Sequence, residues 1–265
     1  MSRLRYLHLD VFADGPAGGH PLIVRLDECP EPAMPGLSHE FNLVVAFRSR
    51  TGPARYFLRI FEHGHELPFG GQPTLGAAWS LGPGTWRQDS PGATVTVQVT
   101  AGGARMSVPD PVLEPVTEES LLVRIAGVLG TGIDGAYRAT CGGNTHLVVP
   151  VTADVAGITV DSGTVAEVCA AAGMNTLAPF CWRAGEVHQR VFAPRMGIPE
   201  SPAVGTAAVP AAVHARRRWD AGPDVGIRQG HGTRRSSLLS VHAAPGAMTL
   251  AGAVRKFAEG TCELP

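Results

Sequence analysis

Two segments of the chain carry the same residue types in the same order, and both end where a helix start could hold an anion. The first runs Arg59-Ile60-Phe61, then Glu66-Leu67-Pro68-Phe69-Gly70-Gly71-Gln72-Pro73-Thr74-Leu75-Gly76-Ala77-Ala78. The second runs Arg190-Val191-Phe192, then Ile198-Pro199-Glu200-Ser201-Pro202-Ala203-Val204-Gly205-Thr206-Ala207-Ala208. Each reads as an aromatic-bearing strand, a Gly/Pro-rich turn and a threonine opening an alanine-rich helix. The first N–H groups of a helix have no partner inside it, and they lie at its positive end. Such ends take up phosphates and carboxylates. Two of them facing one cleft would hold a small carboxylate, with Gly71, Gln72 and Thr74 on one side and Gly205 and Thr206 on the other.

Strands alternating with short helices must position those turns. Leu7 to Phe12 alternates as a strand and breaks at Gly15-Pro16-Ala17-Gly18-Gly19-His20-Pro21. Leu37 to Phe47 reads as a helix with Ser38 as N-cap, and Tyr56 to Phe61 as a strand. Thr74 to Leu81 reads as a helix capped by Thr74. Val95 to Val99 and Arg105 to Val108 flank Ala101-Gly102-Gly103 as a hairpin. Thr117 to Leu129 is a helix capped by Thr117 and ended by Gly130, and Val165 to Ala172 is one ended by Gly173. Leu147 to Val151, Val187 to Phe192, Ser237 to His242 and Val254 to Ala258 supply strands. Thr206 to Arg218 is a helix carrying Pro210, so it either starts late or bends there. Too few long helices are available for a parallel sheet, which predicts an α+β fold of mostly antiparallel sheet with one helix per half. The halves are residues 1–115 and 116–265, the C-terminal end being able to close the first.

Composition removes several classes of function. The chain has 265 residues, 44% of them apolar and 17% charged, so it can bury a core. Its net charge of −1 gives no field that would recruit nucleic acid or an anionic membrane. No stretch reaches the length of a membrane span, and Met1-Ser2-Arg3-Leu4-Arg5 runs straight into a strand without a signal-peptide core. Five scattered cysteines, Cys29, Cys141, Cys169, Cys181 and Cys262, argue for a cytoplasmic protein without a disulfide framework or zinc site. His63-Gly64-His65, read as strand, would put two imidazoles on one face as metal sites do. No third ligand accompanies them, so the segment reads as a turn with two exposed histidines and no metal is expected. Arg216-Arg217-Arg218 reads as cations at a helix C-terminus.

In order and spacing these motifs resemble the phenazine-biosynthesis-like isomerases, relatives of diaminopimelate epimerase. Asp10-Val11-Phe12 through Gly19-His20-Pro21-Leu22-Ile23-Val24 is similar to that family's opening DVF…GNPLAVV. Glu40-Phe41-Asn42-Leu43 is similar to its REFNLSE helix. Arg59 to Gly76 is similar to RIFTPxGELPFAGHPTLG, and Phe192 to Ala208 to FAPxxGIPEDPATGSAA. Gln229-Gly230 through Arg235-Ser236-Ser237 is a degraded QGxxxGRPS, and Val254 to Leu264 follows the closing pattern. The resemblance implies two pseudo-symmetric halves, each a curled sheet or barrel around a central helix, with an active-site cleft between them. It also implies a homodimer that needs no cofactor.

The chemistry departs from the family's. Its members shift protons with the glutamate of FNLSE, the histidine of GHPT and the aspartate of EDPATGS. Those positions hold Val45, Gln72 and Ser201 here. Valine takes no proton, and glutamine and serine hold a substrate by hydrogen bonds but are poor acids or bases near pH 7. No cysteine stands at either turn, which excludes the two-cysteine chemistry of the related racemases. A replacement acid/base is therefore sought nearby. His20, where the family has asparagine, is one candidate, the alternative being a polar loop residue. His146, following Gly142-Gly143-Asn144-Thr145, is another, with Asn144 and Cys141 as further contacts. Glu66 reads as structural. The leading expectation is an isomerase moving a double bond in a small carboxylate, such as an unsaturated cyclic amino acid, in a specialised biosynthetic pathway. The competing expectation is an inactive homologue that binds a small acid or a partner protein.

Overall fold

The computed structural model describes residues 3–263, so Met1, Ser2, Leu264 and Pro265 of the two terminal motifs lie outside the described residues. The chain divides into two compact units, residues 1–107 with 251–265, and residues 108–250. In the first unit the strands are β1 (Arg3–Val11), β2 (His20–Arg25), β3 (Val44–Gly52), β4 (Arg55–Glu62), β5 (His65–Leu67), β6 (Gly84–Asp89), β7 (Thr94–Thr100) and β8 (Gly103–Ser107). Its helices are α1 (Met34–Phe41) and α2 (Gly71–Trp79). The second unit holds β9 (Val112–Pro115), α3 (Glu119–Leu129), β10 (Tyr137–Cys141), β11 (Asn144–Pro150), α4 (Ser162–Ala172), β12 (Thr176–Arg183) and β13 (Glu186–Gln189). It continues with α5 (Gly205–Trp219), β14 (Asp224–Gln229) and β15 (Ser237–His242), and β16 (Thr249–Glu263) returns the chain to the first unit.

In the first unit β1, β2, β3, β4, β6, β7, β8 and β16 follow one another, and β16 pairs with β1 along its whole length, closing an eight-stranded barrel. Closure leaves no free strand edge. α2 fills the barrel and is buried from Gly71 to Ala78. In the second unit β15, β14, β13, β12, β11, β10 and β9 follow one another, with α5 against six of them and buried from Gly205 to Ala215. Pairing is mostly antiparallel, with two parallel pairs in each unit: β2 with β3 and β4 with β6, then β11 with β12 and β13 with β14. Each parallel pair is joined through a helix, as parallel strands require.

Several local expectations needed correction. The helix expected over 37–47 ends at Phe41, where Asn42 turns left-handed, and Val44 begins β3. Its β-branched run, Val44-Val45, favours the strand. Ser38 is not the N-cap; its hydroxyl donates to the Pro35 carbonyl and accepts from the Gly64 N–H at 2.7 Å. Thr74 lies one turn inside α2, whose N-cap is Gly70. Thr117 likewise gives way to Glu118 as N-cap of α3. Pro210 does not delay α5, which starts at Gly205 and runs on to Trp219 with Pro210 inside it. Its missing N–H costs one helical bond, in a helix buried from Gly205 to Ala215. His63 and Gly64 form the expected turn between β4 and β5, left-handed at both residues, with His65 exposed and His63 half-buried. Among the described residues no group of three potential metal ligands converges. At the end of α5 Arg216 donates to the Ala243 carbonyl and Arg218 pairs with Asp134.

The two rhyming segments share a clamp. Arg59 grips Glu66 through Nε at 2.7 Å and Nη2 at 2.8 Å. Arg190 grips Glu200 through Nε at 3.0 Å and Nη2 at 2.7 Å. Both guanidiniums also lie over the ring two residues on, Phe61 at 5.3 Å and Phe192 at 4.8 Å. Each clamp pins a strand to the turn that opens the central helix. They differ in burial: the side chains of Arg190 and Glu200 are each 10% exposed, those of Arg59 and Glu66 22% and 33%. Breaking a buried pair strands a charge, whereas a half-exposed one is rehydrated. Arg190→Met should therefore cost about 3 kcal/mol of unfolding free energy, and Arg59→Met at most about 1 kcal/mol. Urea unfolding of the two variants checks this, and equal losses would contradict it.

Candidate functional site

Both central helices start inside their units without a side-chain cap. At α2 the first turn closes with the Thr74 N–H on the Gly70 carbonyl at 3.1 Å, which leaves the N–H groups of Gly71 and Gln72 with no acceptor inside the helix. Pro73 adds no donor. At α5 the N–H groups of Ala207 and Ala208 share the Val204 carbonyl, leaving those of Gly205 and Thr206. Surface helix α4 contrasts with them: its N-cap Asp161 accepts from the Thr164 N–H at 2.9 Å. A buried helix start without a cap needs a partner from elsewhere, and an anion suits it.

The candidate residues fall into two groups, one in each unit. In the first, Gln72 is buried, and its Nε2 donates to the Pro21 carbonyl at 2.7 Å, with the His20 carbonyl at 3.4 Å. The side chain thus ties the start of α2 to the first two residues of β2. His20 itself is half-buried. It follows Gly19, whose φ of +90° and whose Cα position, 2.9 Å between a built Cβ and the Val11 carbonyl oxygen, admit only glycine. Gly71 and Thr74 are buried on α2, and Thr74 Oγ1 has no hydrogen-bond partner among the described residues. Glu66 is the clamp partner of Arg59, which holds its carboxyl below the usual range through hydrogen bonding.

Val45 lies outside this group. It has no exposed surface and packs with Leu4, Ile23, Met34, Leu37, Phe47 and Phe61, in the apolar layer that α1 joins. A carboxylate there would be stranded in a hydrocarbon layer, so Val45→Glu is no simple repair of the family's acid/base.

In the second unit His146 joins two strands to the helix start. Its Nδ1 lies 2.8 Å from Thr176 Oγ1, its register partner on β12, and its Nε2 lies 3.0 Å from Thr206 Oγ1. The ring is buried, and desolvation lowers its pKa to about 4. It is a neutral imidazole at pH 7, donating through one nitrogen and accepting through the other. This geometry makes it the residue that aims the Thr206 hydroxyl. Ser201 is buried, with its N–H on the Val191 carbonyl at 2.9 Å and its hydroxyl donating to the Ala203 carbonyl at 3.3 Å. Asn144 opens β11 after the left-handed pair Gly142-Gly143, and its Nδ2 reaches the Gly142 carbonyl at 3.4 Å. Cys141 is buried, which pushes its thiol up to about 12 and leaves it unreactive. A Cβ on Gly205 would stand 2.3 Å from Leu250 Cδ2, so any larger residue requires the Leu250 side chain to move.

A layer of polar residues under each helix start went unread in the sequence. In the first unit the buried Tyr56 hydroxyl donates to Gln88 Oε1 at 2.9 Å and points at the Thr74 carbonyl at 3.4 Å. In the second, Gln189 Nε2 donates to the Ala207 carbonyl at 3.0 Å, and Gln229 Nε2 donates to Gln189 Oε1 at 2.6 Å. Gln229 Oε1 accepts from the Val204 N–H at 2.6 Å. The available signal was a glutamine ending a strand in which polar residues alternate with apolar ones, just before Arg190-Val191-Phe192 and again at Gln229-Gly230.

Burial of His146 has a consequence for stability against pH. Its folded pKa is depressed below the unfolded value of 6.5, so its contribution is present above 6.5 and is lost as pH falls toward about 4. His188, His214 and His231 are also lowered, chiefly by desolvation, and add to the same limb. His146→Gln should flatten the fall in unfolding free energy between pH 6 and 4.5 by about 1.4 kcal/mol per pH unit. Urea unfolding across that range measures it; an unchanged slope would show that His146 takes up a proton in the folded protein.

A family model described as phenazine biosynthesis-like protein matches residues 9–257. A trans-2,3-dihydro-3-hydroxyanthranilate isomerase of Pseudomonas aeruginosa is 28% identical, covering 98% of this chain and 99% of its own. Its namesake from Pseudomonas fluorescens is 27% identical, covering 88% of each. The crystal structure of a Bacillus anthracis phenazine biosynthesis protein superposes with a TM-score of 0.86 at 18% identity, over 99% of this chain and 100% of that one. The last of these is a likeness of fold alone.

Proposed function

This chain belongs to the phenazine biosynthesis-like protein family, and we propose that within it the chain is a cofactor-independent isomerase. It moves a double bond by a proton shift in a small carboxylate, in the biosynthesis of a specialised metabolite. The observation that carries this reading is the pair of buried, uncapped helix starts at Gly71-Gln72 and Gly205-Thr206. In either unit such N–H groups suit a carboxylate and the negative charge that grows as a proton leaves carbon. The curated relatives are named for trans-2,3-dihydro-3-hydroxyanthranilate, an unsaturated ring bearing a carboxylate and an amine. An unsaturated cyclic amino acid is accordingly the substrate class proposed here.

His20 is the proposed acid/base. Its backbone is fixed to the start of α2 through Gln72, and an imidazole has both a donor and an acceptor nitrogen through which to pass a proton. His146 positions Thr206 and moves no proton to the substrate. The same reading makes the protein a cytoplasmic homodimer. No helix among the described residues is long and apolar enough to cross a membrane.

A second reading, a carboxylate-binding protein without turnover, is favoured by the burial of Val45 in an apolar layer. Proton NMR in D₂O with a panel of unsaturated cyclic amino acids separates the two. The isomerase reading predicts deuterium at a ring carbon or a shifted double bond. It further predicts that His20→Ala loses about 100-fold or more of that rate while ligand still raises the melting temperature. Binding without exchange in the wild-type protein would favour the second reading, and full activity in His20→Ala would remove His20 from the mechanism.

A further inference from the structure

A buried guanidinium sits at the seam where β16 closes the first unit's barrel against β1. Arg25, the last residue of β2, has no exposed surface. Its Nη1 donates to the Leu4 carbonyl at 2.9 Å and to Cys262 Sγ at 3.3 Å. Its Nε and Nη2 are buried and have no acceptor among the described residues. Asp27, the nearest acid in sequence, is taken by Arg5, with an Nη2 to Oδ1 distance of 2.6 Å. Guanidinium stays charged in proteins, so the three N–H donors on those two nitrogens remain unsatisfied at a cost in free energy. An anionic oxygen beside them would remove that cost.

Cys262 is the residue placed to supply one. It lies on β16 opposite Leu4, half-buried, with its thiol directed at the same Leu4 carbonyl at 3.7 Å. Cys29 is the other half-buried thiol, in the same apolar cluster, while Cys141, Cys169 and Cys181 are buried. We propose that Cys262 is a peroxide-oxidised thiol whose sulfenic acid is held by Arg25. In the step, Sγ attacks one peroxide oxygen; the S–O bond forms as the O–O bond breaks, and the second oxygen leaves with the thiol proton as water. Sulfur gives up two electrons and the peroxide takes them. The new oxygen accepts from the guanidinium, whose Nη1 already lies 3.3 Å from the sulfur. This site is independent of the carboxylate reading and of any isomerase activity.

The test treats the intact protein with hydrogen peroxide in the presence of dimedone, which labels sulfenic acids, and reads each cysteine by peptide mass spectrometry. Cys262 should label at least tenfold faster than Cys29 and the three buried cysteines. Cys29→Ser, which removes the neighbouring thiol, should leave that label in place, and Arg25→Met should slow it several-fold. Should Arg25→Met not fold, wild-type protein unfolded in urea serves instead, and Cys262 should lose its advantage there. Even labelling of Cys29 and Cys262, or an equal Cys262 rate with and without the fold, would overturn the proposal.

Discussion

Each unit is organised around a helix that begins in its interior, and the N–H groups of that first turn must be satisfied in a place water does not freely reach. The rest of the structure serves that demand. The Arg59–Glu66 and Arg190–Glu200 clamps fix the turns leading into α2 and α5. Buried side chains reach up to the carbonyls of the same turns, Tyr56 in one unit and the Gln189–Gln229 pair in the other. Gly205 lets the chain pass against Leu250 where a methyl group would clash. What these contacts leave over is a small set of N–H donors in each unit, aligned and uncapped.

Most of this frame was legible in the sequence because it is written in backbone chemistry. Glycines, prolines and alternating apolar residues mark the turns and strands, and the recurrence of Arg-x-Phe before each turn marks the repeat. The same order of residues carried the family resemblance. Helix boundaries were less legible. Ser38 and Thr74 are residue types that cap helices, yet both lie inside one: α1 starts at Met34 after Ala33, and α2 starts at Gly71 after Gly70. Val44 to Phe47 looked helical by continuity with α1 and is instead a strand, which its β-branched pair favours and its full burial reinforces.

The candidate site was legible only in part, for a related reason. Sequence places His146 near α5, but its role depends on Thr176, thirty residues away and beside it only through parallel pairing of β11 with β12. Burial then removes its charge, and the residue changes from a plausible proton carrier to a neutral bridge. Gln72 is similar: the substitution reads as a lost acid, while the structure gives it a task, holding the backbone of His20 and Pro21. Loss of the family's titratable residues therefore did not leave empty positions. Gln72, Ser201 and Val45 are each integrated into hydrogen bonding or packing of their own unit.

The central claim is that the two helix starts are the anion-binding elements of this protein. Backbone ¹H–¹⁵N spectra recorded during titration with a small unsaturated carboxylate test it directly, because an N–H that takes an anionic acceptor shifts strongly. The account predicts that the largest shifts fall on Gly71 and Gln72 in the first unit and on Gly205 and Thr206 in the second. Shifts that centre elsewhere, or that leave those four amides unmoved at saturation, would contradict it.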